Sequence, residues 1–173
     1  MFVPFDKIHD DSRLWIFQAN RKFNSKESKI ISQALSTFTE SWLVHGSPMQ
    51  ASFDLRFDQF VILAADEQAN AASGCSIDDS VRTFKKLGAE LNIDFFDRTL
   101  VAFKKDETVF TISASDLKTT LRDGAWNQET LVFNNLVGTK RALREGWLVP
   151  AGSTWLKRYL PHQTMVGVKS DIL

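Results

Sequence analysis

The sequence contains one cysteine, Cys75, so no disulfide can close within the chain and a cysteine-rich zinc site is excluded. It has no surplus of either charge. Lys plus Arg and Asp plus Glu both count 21, which removes the broad basic field of a general nucleic-acid binder. No apolar run approaches the roughly 18 residues of a membrane span, and no charged-then-apolar leader opens the chain. A cytoplasmic protein without membrane or nucleic-acid partners is therefore expected. Tyrosine is nearly missing, with one copy against fourteen Phe, so most aromatic rings here fill space and offer a ligand no polar group. The chain also lacks a Gly-x-x-x-x-Gly-Lys-Ser/Thr loop, a Gly-x-Gly-x-x-Gly turn, a His-Glu-x-x-His helix and a Gly-x-Ser-x-Gly elbow. Gly138-Thr139-Lys140 falls short of the first because the earlier glycine is absent. His9-Asp10-Asp11 has no second cluster to complete a metal site, so neither metal nor cofactor is expected.

What is present is enough for a core. For 173 residues and 19.6 kDa with 43% hydrophobic composition, area scaling allows about 70% of the extended surface to be buried. Charge is zero in total but unevenly spread. Residues 50–98 hold nine acids against five bases, whereas 137–173 hold six bases against two acids. Lys140, Arg141 and Arg144 in the second stretch read either as a patch docking on an acidic part of the same chain or as a surface for an acidic partner.

Hydrophobic periodicity gives the elements. Residues 14–19, apolar at Leu14, Trp15, Ile16 and Phe17 without alternation, read as a buried strand. Asn24 with Glu27 three residues later forms a capping box, and the stripe Ile30, Ile31, Ala34, Leu35, Phe38, Trp42 follows as a helix, stopped by Gly46. From 49 to 57 the pattern has period two, with Ala51, Phe53, Leu55 and Phe57 on one face and Ser52, Asp54 and Arg56 on the other. After a turn, 60–65 is apolar throughout. Ser76 with Asp79 opens a second helix whose inner stripe includes Phe84, Gly88 and Leu91, and strands are expected at 98–103 and 108–112.

This order predicts an α+β protein with a ferredoxin-like split βαβ antiparallel sheet (β-α-β-β-α-β plus one strand) over 1–113. A small mixed C-terminal subdomain is expected over 114–161, and a mobile tail over 162–173. Inner strands apolar on both faces need cover on both sides of the sheet. Two helices supply one side, so the other is expected to be covered by the segment after Ser113 or by a second copy in a homodimer.

The most site-like stretch is 66–76, with Asp66, Asn70, Ser73, Gly74 and Ser76 as candidate ligand-binding residues. Small and polar side chains there precede a helix N-terminus, whose unpaired N–H groups and positive dipole end suit an anion. A thiol in that position can carry a lowered pKa, and the topology brings His45 to the same edge, so Cys75 and His45 are a candidate nucleophile and base. The plainer readings are packing for Cys75, a helix-end charge interaction for His45 and capping for Ser76. Asn134-Asn135 and Asp97-Arg98 stand out in apolar surroundings and read as turn chemistry and a local ion pair.

Phe2-Val-Pro-Phe, Ser12-Arg-Leu-Trp-Ile, Ala72-Ser-Gly-Cys-Ser-Ile-Asp, Phe95-Phe-Asp-Arg and Val132-Phe-Asn-Asn-Leu-Val together resemble an uncharacterised bacterial family of about this length. Its members often carry the label "ABC transporter ATPase", which implies nucleotide binding. The missing phosphate-gripping loop and Leu-Ser-Gly-Gly signature argue against that activity here. Three functions are thus expected in turn. The first is a non-enzymatic binding protein for a small anionic ligand or a protein partner at the 66–76 edge. The second is a thiol-dependent enzyme using Cys75 with His45. The third is an adaptor docking an acidic partner through Lys140, Arg141 and Arg144.

Overall fold

The computed structural model describes residues 1–68 and 71–161. Its first strand, β1 (Arg13–Gln18), leads through a loop to α1 (Ser25–Ser41). The capping box is formed as its spacing predicts: Asn24 Oδ1 accepts from the Lys26 and Glu27 amides, and Glu27 Oε2 accepts from the Asn24 amide. A two-residue hairpin, β2 (Leu43–Val44) and β3 (Ser47–Pro48), separates α1 from β4 (Gln50–Arg56). The chain then passes through β5 (Phe60–Asp66) into α2 (Gly74–Leu91).

β1, β5 and β4 form a three-stranded antiparallel sheet with β5 in the centre, and β5 is buried from Phe60 to Ala65. That is the arrangement the uninterrupted apolar run predicts. β4 is an edge, where Met1 and Val3 add one short parallel bridge at Ala51. The sheet's two faces have different neighbours. Phe17, Val61, Leu63 and Ala65 pack against Ile31 and Leu35 of α1 and Phe84 and Leu87 of α2.

The ferredoxin-like expectation fails at its fourth strand. β6 (Leu100–Lys105) does not extend the first sheet. It pairs with β7 (Thr108–Ser113) and with β8 (Leu131–Phe133), and β8 pairs with β9 (Leu148–Pro150), giving a second antiparallel sheet in the order β7-β6-β8-β9. The outer edge of β1, where the fourth strand belongs, is bridged instead by Thr139 at Arg13 and by the Gly138 carbonyl, which accepts from the Leu14 amide at 2.9 Å. The order of elements alone could not distinguish these pairings, because β6 has a partner at hand in β7 and a competing one 30 residues downstream.

The second sheet lies across the free face of the first. Leu14, Phe60, Ile62 and Ala64 meet Ala102, Val109 and Phe133, together with Ile8 from the N-terminal segment and Leu143 and Trp147. Cover therefore comes from the same chain. The sheet face proposed for a homodimer is not open. β6 and β7 precede residue 114 and share a sheet with β8 and β9, which follow it. The outer face of the second sheet carries Phe103, Ile112 and Val132 onto Leu117, Trp126 and Leu156. These come from α3 (Leu117–Arg122), its following loop and a 3-10 turn at Trp155–Tyr159. The result is four layers: helices, sheet, sheet, helix. Between β8 and β9 lies α4 (Lys140–Gly146), capped by the Thr139 hydroxyl, which accepts from the Ala142 amide. No helix among the described residues is long and apolar enough to cross a membrane. The tail expected to be mobile, 162–173, lies outside the described residues.

Candidate ligand-binding cleft

Among the described residues of 66–76, the polar groups of Asp66, Ser73 and Ser76 are engaged with local backbone. Helix α2 begins earlier than its sequence reading: Ser73, not Ser76, is the N-cap, its hydroxyl accepting from the Ser76 amide at 3.3 Å. Gly74, Cys75 and Ser76 are thereby the first turn. Ser76 is buried, and its hydroxyl donates to the Ser73 carbonyl at 2.8 Å. Asp66 accepts from the Gln68 amide in a local turn. Asn70 lies outside the described residues. The N-terminal segment does reach this edge, through contacts of Gln68 with His9 and of Arg13 with Glu67 at 3.4 Å.

Cys75 is exposed. His45 is not at a helix end, because α1 stops at Ser41. It occupies the β2–β3 turn at φ +50, followed by Gly46 at φ +78. The Trp42 indole N–H donates to the Ser76 carbonyl at 2.9 Å and so ties the start of that hairpin to the first turn of α2. No hydrogen bond joins Cys75 to His45 among the described residues.

The basic C-terminal residues meet acids of their own chain, and these acids lie at 10 and 11 instead of 50–98. Arg144 pairs with Asp10 at 3.0 Å and Arg141 with Asp11 at 3.0 Å. Lys140 Nζ donates to the Ile8 carbonyl at 2.7 Å and the Asp6 carbonyl at 3.2 Å, and lies 3.4 Å from Asp10. The Arg144 hydrogen bond, aided by Lys140, holds the Asp10 carboxyl below its ordinary value. The surface assigned to an acidic partner is thus an internal clasp joining the N-terminal segment to α4. Asp97 likewise accepts from the Thr99 amide and hydroxyl instead of pairing with Arg98.

This clasp borders a cleft of about 830 Å³ between the N-terminal segment, the end of β4 and α4. Its apolar wall is made by Phe5, Phe57, Leu143, Trp147 and Leu148, and its charged rim by Asp6, Asp10, Asp54, Arg56, Lys140 and Arg144. Alternation along β4 sends Asp54 and Arg56 to the same face, where Arg56 Nε donates to Asp54 Oδ2 at 2.7 Å. The Arg56 guanidinium lies 5.6 Å from the centre of the Phe5 ring and 5.7 Å from that of Trp147, a double cation–π contact. Among the described residues Arg56 donates to no other group, so both Nη atoms remain available. Among the same residues Arg144 donates through Nη2 alone, to Asp10.

The wall is held from behind. Trp147 is 4% exposed and packs on Phe60 and Phe133, with ring centres 5.2 and 4.9 Å away. Its indole N–H donates to Asn135 Oδ1 at 3.0 Å; Asn135 Nδ2 donates to Gln18 Oε1 at 2.9 Å; Gln18 Nε2 donates to the Leu100 carbonyl at 3.1 Å. Asn135 is therefore a link between both sheets and the cleft, beyond the turn role read for it. Phe57 closes the β4–β5 hairpin at φ +55, a left-handed conformation rare for a bulky residue. Ring contacts to Phe60, Phe133 and Trp147 hold it there.

Phe5, Arg56, Phe57 and Trp147 were not singled out by their sequence. The shared face of Asp54 and Arg56 was readable in the alternation, but the neighbour of that face lies about 90 residues downstream. No group of three or more metal-ligating side chains occurs among the described residues. No family model, curated protein or solved structure matches this chain.

Proposed function

We propose that the protein binds a small anionic ligand, and that the cleft beside Arg56 is its seat. The observation that carries this reading is the meeting of two guanidinium groups, Arg56 and Arg144, with unengaged N–H donors above an aromatic wall in one concave space. Concavity, apolar lining and a few convergent polar groups are what a small-molecule site requires. A guanidinium offers a planar fork that matches a carboxylate or phosphate. The reading keeps the ligand class expected from sequence and moves its place. The 66–76 edge is weaker because Ser73 and Ser76 already use their hydroxyls in the helix cap.

The test is amide chemical-shift mapping of the full chain with a panel of small carboxylates, sulfonates and phosphates. Saturable shifts centred on residues 5, 56, 57, 144 and 147 are expected. Saturable shifts confined to 66–76, or none anywhere, would overturn the assignment to the cleft.

A further inference from the structure

We infer that the ligand of this cleft is a flat aromatic molecule with a single negative charge; this rests on the cleft being the binding site. The charge follows from the pairing. Arg56 is matched by Asp54, while Lys140 and Arg144 share Asp10. Asp6, the remaining acid of the rim, is paired with Lys7 at 3.4 Å and its side chain is 71% exposed. With Lys7 counted beside Asp6, four cations meet three carboxylates at the rim, one positive charge in excess. A neutral ligand leaves the guanidinium donors without an anion, and a dianion crowds a second negative charge beside Asp54 and Asp10.

Which cation receives the anion also follows. The Lys140 ammonium has three protons and already faces three acceptors, the Asp6 and Ile8 carbonyls and Asp10. Arg56 has both Nη atoms open among the described residues, and its guanidinium contacts the Phe5 and Trp147 rings at 5.6 and 5.7 Å. A carboxylate taken up by that fork lies near the guanidinium plane, so the rest of the ligand continues alongside the same rings. A ligand whose charge is coplanar with an aromatic ring fits this arrangement: its ring comes to rest against Phe5 and Phe57 in offset or edge contact. The unusual backbone of Phe57, kept by three ring contacts, places a rigid aromatic edge there instead of a flexible side chain. An alkyl chain gains burial from this wall but none of the ring-to-ring contact.

The experiment is isothermal titration of the full chain with four probes: 2-naphthoate, 2-naphthamide, octanoate and 2-naphthyl phosphate. Binding of 2-naphthoate is expected to exceed that of the amide by about tenfold or more, from loss of a charge-assisted hydrogen bond. It is expected to exceed octanoate by roughly fivefold from ring contacts. Arg56→Gln should remove the preference for naphthoate over naphthamide, and Phe57→Leu should reduce the preference over octanoate, with melting curves confirming that each variant folds. Equal binding of octanoate, or tighter binding of the dianionic phosphate, overturns the aromatic monoanion while leaving an anion site in place. Binding of none of the three anions removes the site itself.

Discussion

Replacing Asn135 by Ala tests whether the cleft wall is held by the hydrogen-bond relay behind it. Among the described residues Asn135 is the one partner of the Trp147 indole N–H, at 3.0 Å, and its amide supplies the 2.9 Å bond to Gln18 Oε1. Alanine removes both at once. Trp147 is 4% and Gln18 9% exposed, so the orphaned donor and acceptor have little access to water. Leaving one buried polar group unpaired costs about 1–3 kcal/mol. Because Asn135 itself is half-buried and water can enter the vacated space, we place the total at about 2–4 kcal/mol. For a domain of this size that corresponds to a fall in melting temperature of roughly 5–15 °C. Neighbouring Asn134 provides the internal comparison, since its Oδ1 only accepts from the Leu136 amide at 3.3 Å in a local turn. Asn134→Ala should cost less than about 1 kcal/mol. Urea and thermal unfolding followed by circular dichroism read both variants. Equal losses, or a loss at Asn135 below about 0.5 kcal/mol, would refute the claim that this relay supports the wall.

Other outcomes follow from the same geometry. Gly88→Ala should destabilise by about 1–2 kcal/mol in urea titration, since a Cβ would stand 2.5 Å from the Ile93 carbonyl oxygen and the overpacking exceeds the helix-propensity gain; a stabilised variant would show that the loop at Ile93 moves freely. Lys140→Met should cost about 1–3 kcal/mol by leaving the Ile8 carbonyl unpaired, whereas Arg141→Ala, which breaks an exposed pair, should cost less than that; calorimetry of the two variants orders them. The hydrogen bond from Arg21, with that from the Asn24 amide, pushes the Glu27 carboxyl from 4.5 down to about 2. Its contribution is therefore full above pH 4.5 and is lost as pH falls toward 2, so Glu27→Gln should flatten that part of the stability profile. Cys75 is exposed, so iodoacetamide should alkylate it in the native state without prior unfolding, as read by intact mass; a thiol that reacts only after denaturation would contradict its placement.

Local signals in the sequence translated well into local structure. The Asn24–Glu27 box, the alternation over β4 and the uniform burial of β5 are each governed by residues within a few positions of one another. Expectations that depended on distant partners fared differently. β6 has the composition of either sheet's strand, and only the competition between the β1 edge and the β7–β8 pair decides where it goes. The basic stretch was visible as charge, but the acids that clasp it are the two at Asp10 and Asp11, not the more numerous ones in 50–98. Three residues separate Ser73 from Ser76 as the cap of α2, and either hydroxyl is of a type that caps a helix. The cleft was illegible for a related reason: Arg56 and Trp147 each look ordinary alone, and their meeting is a product of the long-range fold.

The stacking of one sheet on the other also sets an order of assembly during synthesis. Leu14, Phe60, Ile62 and Ala64 leave the ribosome well before Phe133, Leu143 and Trp147, which later roof them. At about 5–20 residues per second, the stretch from Ala65 to Trp147 takes roughly 4–16 s to translate. For that interval the nascent chain carries a half-roofed sheet whose greasy underside is within reach of chaperones and of other nascent chains.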